Sequence, residues 1–359
     1  MSFGLPHYQD RNRHIPQIRD SRGAMATDPV ELYRSAIVID ATCPLLDRKG
    51  FLDSYRRGGV TALCPTVGAT GGAAETFRAL TGWLAHVREQ DDLLLVRRAA
   101  DIDEAKRSGR IGIIVHFQGA DPVEDDLALL DGYHAMGLRM LQLAYNVKNR
   151  VGDGCEERTD AGLSRFGIAL IERLEALRIV LDCSHTGYRT TMEAMERATR
   201  PVVFSHSNPR TVKESPRNIG DDQIRAVAAT GGLIGMNGFP AFVAARQRPT
   251  VDDLIDHIDY TVQLVGDEHV GLGIDYYQGQ HPFVDEAEAR RLYDGWVAAG
   301  HWNPANYPPP PYHYPQGIET PDKLPHLAER LSARGYGDDS ILKILGRNWQ
   351  RVFREVWGA

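Results

Sequence analysis

Polar residues gather in this chain at the ends of short apolar runs. Asp40 ends AIVID, Gln118 follows IGIIVHF, and Tyr145 and Asn146 follow RMLQLA. His185 follows IVLDCS, His206 follows PVVFS, Asn237 ends LIGMN and Asp275 follows GLGI. Two histidines, each in a Ser-His pair, and one aspartate are donors that zinc and its neighbours take as neutral imidazole and carboxylate. The expectation is that His185, His206 and Asp275 converge on one divalent ion. A Ser–His nucleophile on Ser184 or Ser205 fits less well, because each serine directly precedes its own histidine and no nucleophile elbow is present. His116 lies two residues before Gln118, on the same side of its run, and reads as a packed core histidine. Cys183 stands in the same relation to His185 and reads as a small buried residue. Cys155, with Glu156 and Glu157 beside it, reads as part of a structured loop, with an added thiolate or carboxylate ligand as the alternative.

The runs themselves read as strands: Ala36–Asp40, Val60–Pro65, Ile111–Phe117, Arg139–Ala144, Ile179–Cys183, Val202–Ser205, Leu233–Asn237 and Val270–Gly273. Their nearly unbroken hydrophobicity is that of parallel strands covered on both faces. Amphipathic stretches alternate with them, at Ala73–Glu89, Asp125–Met136, Phe166–Leu177, Arg189–Ala198 and Asp221–Thr230. In the first, Phe77, Leu80, Trp83, Leu84 and Val87 fall on one helical stripe. In the last, Asp221 and Asp222 read as the N-cap and Gly231 and Gly232 as the stop. This alternation predicts an α/β fold, a (β/α)8 TIM barrel, whose chemistry sits where the strands' C-terminal ends open into loops. An open doubly wound sheet is the rival, disfavoured because no Gly-x-Gly-x-x-Gly follows a first strand. Residues 1–28 lack a hydrophobic period and read as an arm, leaving 29–359 as a single barrel domain. The Pro- and Tyr-rich stretch Asn303–Gly317 reads as an ordered loop at a subunit contact, with a substrate lid as the alternative, and Ile318–Gly358 as helix.

Composition narrows the function classes. The 359 residues carry 41 Lys+Arg against 48 Asp+Glu, a net charge of -7. That excludes the basic surface needed for nucleic acid or anionic lipid. No run reaches the length of a membrane span, and the polar N-terminus lacks the apolar core of a secretory signal. The four cysteines are scattered, as reduced thiols are. A cytoplasmic enzyme acting on a small molecule is the expectation.

Several stretches are similar to one family. GLSRFG, IVLDCSH, VVFSHSNPR, PRNIGDDQIRAVAATGGLIGMNGFPAF, HIDYTVQLVGDEHVGLGIDY and ILGRNWQRVFREV together resemble the membrane (renal) dipeptidases of the metal-dependent amidohydrolase superfamily. The resemblance runs from about Asp28 to the C-terminus and implies a barrel, a homodimer and hydrolysis of dipeptides at a two-zinc centre. It implies that His185 and His206 hold the second zinc. It gives Asp275 to the first zinc and to the proton of the attacking water. It makes Arg217 the grip on the substrate carboxylate, a task its planar fork suits, and sets Asn237 near the site. The departures from the pattern are specific. The family's first strand ends in Asp-Gly-His-x-Asp, and here Thr42 and Pro44 stand at the ligand positions. Gln118 replaces the bridging glutamate, and Tyr145 replaces the histidine that meets the scissile amide.

What survives matches amino-sugar deacetylases of the same superfamily, which look like single-metal enzymes with a Glu or Gln, two His and an Asp. The expectation is therefore a metal-dependent hydrolase with one divalent ion, zinc by its donors, held by His185, His206, Asp275 and Gln118. Cys43, Cys155 or Glu157 is a further candidate ligand. Asp275 acts as base, Tyr145 donates to the oxyanion, and Arg217 and Asn237 bind a small substrate with a free carboxylate. A metal-dependent lyase or decarboxylase, or a binding protein without chemistry, are the alternatives.

Overall fold

The computed structural model describes residues 27–358. The arm expected over 1–28 lies outside these, save its last two positions. Asp28 caps the helix Pro29–Ser35 by accepting from the N–H groups of Val30 and Glu31.

Eleven short parallel strands form one sheet: β1 (Ile39–Asp40), β2 (Ala62–Leu63), β3 (Thr66–Gly68), β4 (Leu93–Leu95), β5 (Ile111–Ile113), β6 (Val115–Phe117), β7 (Leu138–Gln142), β8 (Val180–Asp182), β9 (Val202–Phe204), β10 (Leu233–Met236) and β11 (Val270–Leu272). β2 and β3 are two halves of one strand bent at Pro65, and β5 and β6 are halves of another. β2 pairs with β5 and β3 with β6, then β6 through β11 pair in succession, and β11 returns to β1. The ladder therefore closes, and the fold is a (β/α)8 barrel. All eight expected strands are present. β3 and β4 were not expected, and β4 lies outside the ring, on the free edge of β5.

Neighbouring strands approach closely. Gly235 on β10 exists because a Cβ there would sit 2.0 Å from the Ser205 carbonyl oxygen. Below the ring, the helix Asn348–Trp357 plugs the N-terminal end. Trp349, Val352 and Phe353 pack on Ile39, Val180, Val203 and Leu233, and Trp349 Nε1 donates to the Leu272 carbonyl at 3.0 Å. That leaves the opposite, C-terminal mouth for loops.

Two expectations are corrected. Phe77 is not on the core stripe of Ala73–Glu89; it is 51% exposed, because the helix turns only Thr76, Leu80 and Trp83 fully inward. The N-cap of Asp221–Ala229 is Gly220, whose N–H donates to the Gln223 side chain, so the two aspartates sit in the first turn instead. Residues 318–358 return to helix as expected, in several pieces. Gly335 at φ +100° ends Pro325–Arg334, and a wide turn at Lys343–Arg347 interrupts the rest. The Asn303–Gly317 stretch is ordered. Tyr312–His313 pairs with Gln280–His281, and Tyr307, Tyr312 and Tyr314 are buried around Phe239 over the mouth.

Candidate active site

Three residues leave their strands in the left-handed region at the same end of the barrel. Asn146 after β7 has φ +58°, His185 after β8 +59° and Asp275 after β11 +60°. An L-residue pays for this conformation, and the side chains it aims are where function is sought.

His185 and His206 meet there, with their Nε2 atoms 2.8 Å apart. Each Nδ1 is held from behind. The Asn146 amide donates to the His301 carbonyl at 2.9 Å and to the Tyr307 hydroxyl at 3.0 Å, which leaves its Oδ1 to accept from His185 Nδ1–H at 2.7 Å. Ser205 Oγ donates to Asp182 Oδ2 at 2.5 Å, and Thr42 Oγ1 donates to the Ala41 carbonyl at 2.7 Å. Both hydroxyls thereby accept from His206 Nδ1–H, at 2.6 and 3.1 Å. Both rings are thus in the tautomer that leaves Nε2 bare. Burial, and then the Arg217 charge, push both imidazoles well below their ordinary range, so both are neutral. Gln118 lies across the pair, its Nε2 at 2.9 Å from His206 and 3.4 Å from His185, while its Oε1 accepts from Thr66.

Two bare imidazole nitrogens facing each other repel unless a positive group lies between them. Two ligand histidines with locked outer nitrogens are the usual arrangement at a metal, so the donor chemistry fits a divalent ion. The backing is itself anchored. Burial would raise Asp182, but hydrogen bonds from His116 and Ser205 hold its carboxyl at about 2. It remains an anion that accepts from Ser184 N, Ser205 N and Ser205 Oγ. His116 is a buried structural residue, as expected, and so is Cys183.

The remaining candidates divide between two chambers that share His185. The first, about 330 Å³, is lined by Gln118, Tyr145, His185 and Asp275 among others. The second, about 290 Å³, contains Arg217, Cys155 and Glu157. Tyr145 stacks on His185 at 4.2 Å between ring centres and accepts at its hydroxyl from Trp302 Nε1 at 3.0 Å. The convergence expected of His185, His206 and Asp275 is not observed: among the described residues no three His, Cys, Asp or Glu side chains are grouped to hold an ion. Asp275 lines the first chamber, but its Oδ2 is tied to Asn237 Nδ2 at 3.1 Å. Desolvation raises its carboxyl to about 7 against the pull of Arg217. Asn237 lines neither chamber, and its amide donates to Asp275. Arg217 is buried, donates to the His206 carbonyl at 2.9 Å and packs over Phe242.

Neither Cys43 nor Cys155 is placed as a ligand. Cys43 points its Sγ toward the Asp40 carbonyl, and Cys155 toward Asn146 Oδ1, its thiol raised to about 12 by burial. Glu157 spends its carboxylate on the N–H groups of Lys148 and Arg158.

The chain has known relatives. A family model described as membrane dipeptidase, peptidase family M19, matches residues 78–298. The chain belongs to the M19 family of membrane dipeptidases. As an M19 chain it is a metal-dependent hydrolase. A Klebsiella pneumoniae protein from the pqqA 5′ region, itself uncharacterized, is 30% identical over 74% of this chain and 89% of its own length. An uncharacterized dipeptidase of Schizosaccharomyces pombe is 35% identical over 52% of this chain; the match spans 46% of that relative. Among solved structures, an amidohydrolase from Pseudomonas aeruginosa superimposes with a TM-score of 0.83 at 31% identity, over 92% of this chain and all of the other. A Rhodobacter sphaeroides metallopeptidase, liganded with a phosphinate mimic of L-Ala-D-Ala, shares the fold at TM-score 0.74 and 20% identity, over 90% of this chain and 100% of that one. Among the described residues no helix is long and apolar enough to cross a membrane.

Proposed function

We propose that this M19 chain hydrolyses an amide- or peptide-type bond in a small substrate bearing a free carboxylate, with one divalent ion in place of two. The observation that carries the reading is the pair of neutral imidazoles, bare Nε2 atoms 2.8 Å apart and each Nδ1–H locked. His185 and His206 would hold the ion, and Gln118, whose Oε1 accepts from Thr66 while its Nε2 faces the imidazoles, would have to turn its amide over to add an oxygen ligand. Zinc suits these donors, and such an ion supplies Lewis acidity and an acidified water near neutral pH. A second ion lacks support, because a two-metal centre needs anionic ligands to offset its charge. Gln118 is neutral, Thr42 Oγ1 is engaged with Ala41 and His206, and Pro44 has no donor.

The chain's own groups then divide the work. Asn237 fixes one oxygen of Asp275, leaving the other to take a proton from the attacking water and return it to the leaving amine. Tyr145 accepts from Trp302, so its own hydroxyl proton is free to donate to the developing oxyanion. Burial raises its pKa well above the ordinary phenol, which keeps that proton in place. The Arg217 guanidinium, with an Nε that meets no partner, binds the carboxylate from the second chamber.

Elemental analysis of the purified full chain tests the metal count. One equivalent is expected, lost in His185→Ala and kept in Asp275→Ala. Mass spectrometry of products from dipeptides and N-acyl amino acids tests the reaction. Two zinc equivalents together with brisk hydrolysis of ordinary L,L-dipeptides would overturn the single-ion reading.

A further inference from the structure

The Pro- and Tyr-rich stretch has no part in the reaction above, yet its lead-in and its Tyr307 lie directly behind His185. The helix Glu286–Ala298 stops just before Gly300, whose φ of +74° turns the chain back, so that His301 N and Trp302 N both donate to the Trp296 carbonyl, at 3.1 and 3.3 Å. The Trp302 indole is stacked between Trp296 and Tyr307, at 5.6 and 4.6 Å between ring centres. Trp302 and Tyr307 are both buried. This packing fixes two acceptors in space, the His301 carbonyl and the Tyr307 hydroxyl, and each takes a hydrogen bond from the Asn146 amide.

An asparagine side chain is nearly symmetric in shape and opposite in chemistry at its two ends. Turned over, Asn146 would set its oxygen against the His301 carbonyl and offer an N–H to His185 Nδ1. His185 would then carry its proton on Nε2, the nitrogen the site needs bare. His185 does not forbid this exchange, because a neutral imidazole presents either a donor or an acceptor at Nδ1. The Cys155 thiol, 3.5 Å from Asn146 Oδ1, is only a weak donor, and the Tyr307 hydroxyl serves either way. The His301 carbonyl can only accept, so it decides the orientation. Asn146 itself is pinned. Its carbonyl accepts from Glu156 N at 2.8 Å, and Gly154 packs so closely that a Cβ there would lie 2.2 Å from the Asn146 carbonyl carbon.

We infer that the segment from His301 to Tyr307 is a positioning clamp that, through Asn146, holds His185 in the tautomer able to bind a divalent ion. Order in this segment and metal affinity at His185 are then linked. Whatever loosens the segment weakens the hold on the ion, and the ion tightens the segment by the same factor. The metal half of this statement rests on the reading of His185 and His206 as ligands; the tautomer half does not.

Nitrogen NMR of the full chain, stripped of metal with a chelator, reads the His185 tautomer. The wild type is expected to show the Nδ1–H form alone. Trp302→Leu, which loses the stack that places the His301 carbonyl, should show both forms and weaken zinc about ten- to a hundredfold in a competition titration. Tyr307→Phe keeps the stack and the carbonyl and removes one acceptor, so its effect on both readings should be smaller but in the same direction; it carries the test if Trp302→Leu does not fold. Asn146→Asp presents oxygen at both ends, and in that background Trp302→Leu should cause no further change at His185, which separates the clamp from a general loosening of the mouth. Tyr312→Phe, on the same stretch but donating to the Pro308 carbonyl at 2.8 Å, should leave both readings as in the wild type. Zinc added to the wild type should slow amide exchange at Trp302 and Tyr307. An unmixed Nδ1–H form in both Trp302→Leu and Tyr307→Phe, or the same mixture when Asn146→Asp is present, overturns the proposal. A chain that takes up no zinc would overturn the ligand reading, and with it the coupling, while the tautomer result would stand.

Discussion

Acid should weaken this fold through one histidine remote from the two imidazoles. His257, on the helix Val251–Val265, is fully buried; its Nε2–H donates to the Val243 carbonyl at 2.8 Å and its Nδ1 has no partner. Burial holds its pKa down to about 4, against which the Val243 hydrogen bond pulls weakly. In the unfolded chain an imidazole titrates near about 6.5. The folded value is the lower one, so between the two the unfolded state binds more protons. The stability His257 contributes is therefore whole above the unfolded pKa and is lost as pH falls toward the folded one. With those two values the loss on going from about pH 7 to about pH 5 is about 2 kcal/mol, approaching about 3 kcal/mol at lower pH. His257→Gln keeps a donor near Nε2 and removes the titration. Urea unfolding of both proteins at the two pH values isolates the effect from the other acid-sensitive groups. The wild type should lose about 2 kcal/mol more than the variant. Equal losses would refute the assignment. The consequence reaches the site, because Val243 ends the short helix Pro240–Val243, whose Phe242 packs under Arg217.

Three further outcomes are expected. Arg217→Lys should erase most of the preference for a substrate over its amide-capped analogue, a loss of roughly ten- to a hundredfold in kcat/KM, since an ammonium lacks the fork; unchanged discrimination would count against the carboxylate role. Ser205→Ala removes the link from Asp182 to His206 and should weaken zinc affinity about tenfold to a hundredfold, with nitrogen NMR of the metal-free chain showing a mixed His206 tautomer; a single unaltered tautomer would show that Thr42 suffices. Gly235→Ala would drive a Cβ to 2.0 Å from the Ser205 carbonyl oxygen, so thermal unfolding should reveal a loss of about 2 kcal/mol or more, and an unshifted Tm would mean that β9 and β10 can part.

The barrel was legible in the sequence because its strands are buried on both faces and so read as unbroken apolar runs. β4 escaped because Leu93–Leu95 adds to the edge of β5 outside the ring and has no run of its own length. β3 escaped because Pro65 reads as an end, whereas the chain only bends there. His185 and His206 were legible from their places after β8 and β9, and Gln118 from its place after β6. Their supports were not. Ser205 was weighed only as a nucleophile and Thr42 only as a lost ligand, yet both turn out to accept from His206 Nδ1. The repeated Ser-His pair held the signal for Ser205. Nothing local marks Asn146 as the partner of His185, or Trp302 as the partner of Tyr145, because the second contact joins positions 157 residues apart. Asp275 was expected among the ligands, and strand position alone does not reveal its hydrogen bond from Asn237.

The left-handed backbone of Asn146, His185 and Asp275 has a consequence for anyone evolving this protein toward heat resistance. Each L-residue held there costs about 1 kcal/mol that glycine would not. A screen scored on residual fold after heating will therefore favour glycine at these three positions. Every such winner discards an imidazole, a carboxylate or the amide that orients the imidazole. Selection for survival and selection for turnover pull these codons in opposite directions. A thermostable library of this chain should show its inactive members enriched for glycine at 146, 185 and 275.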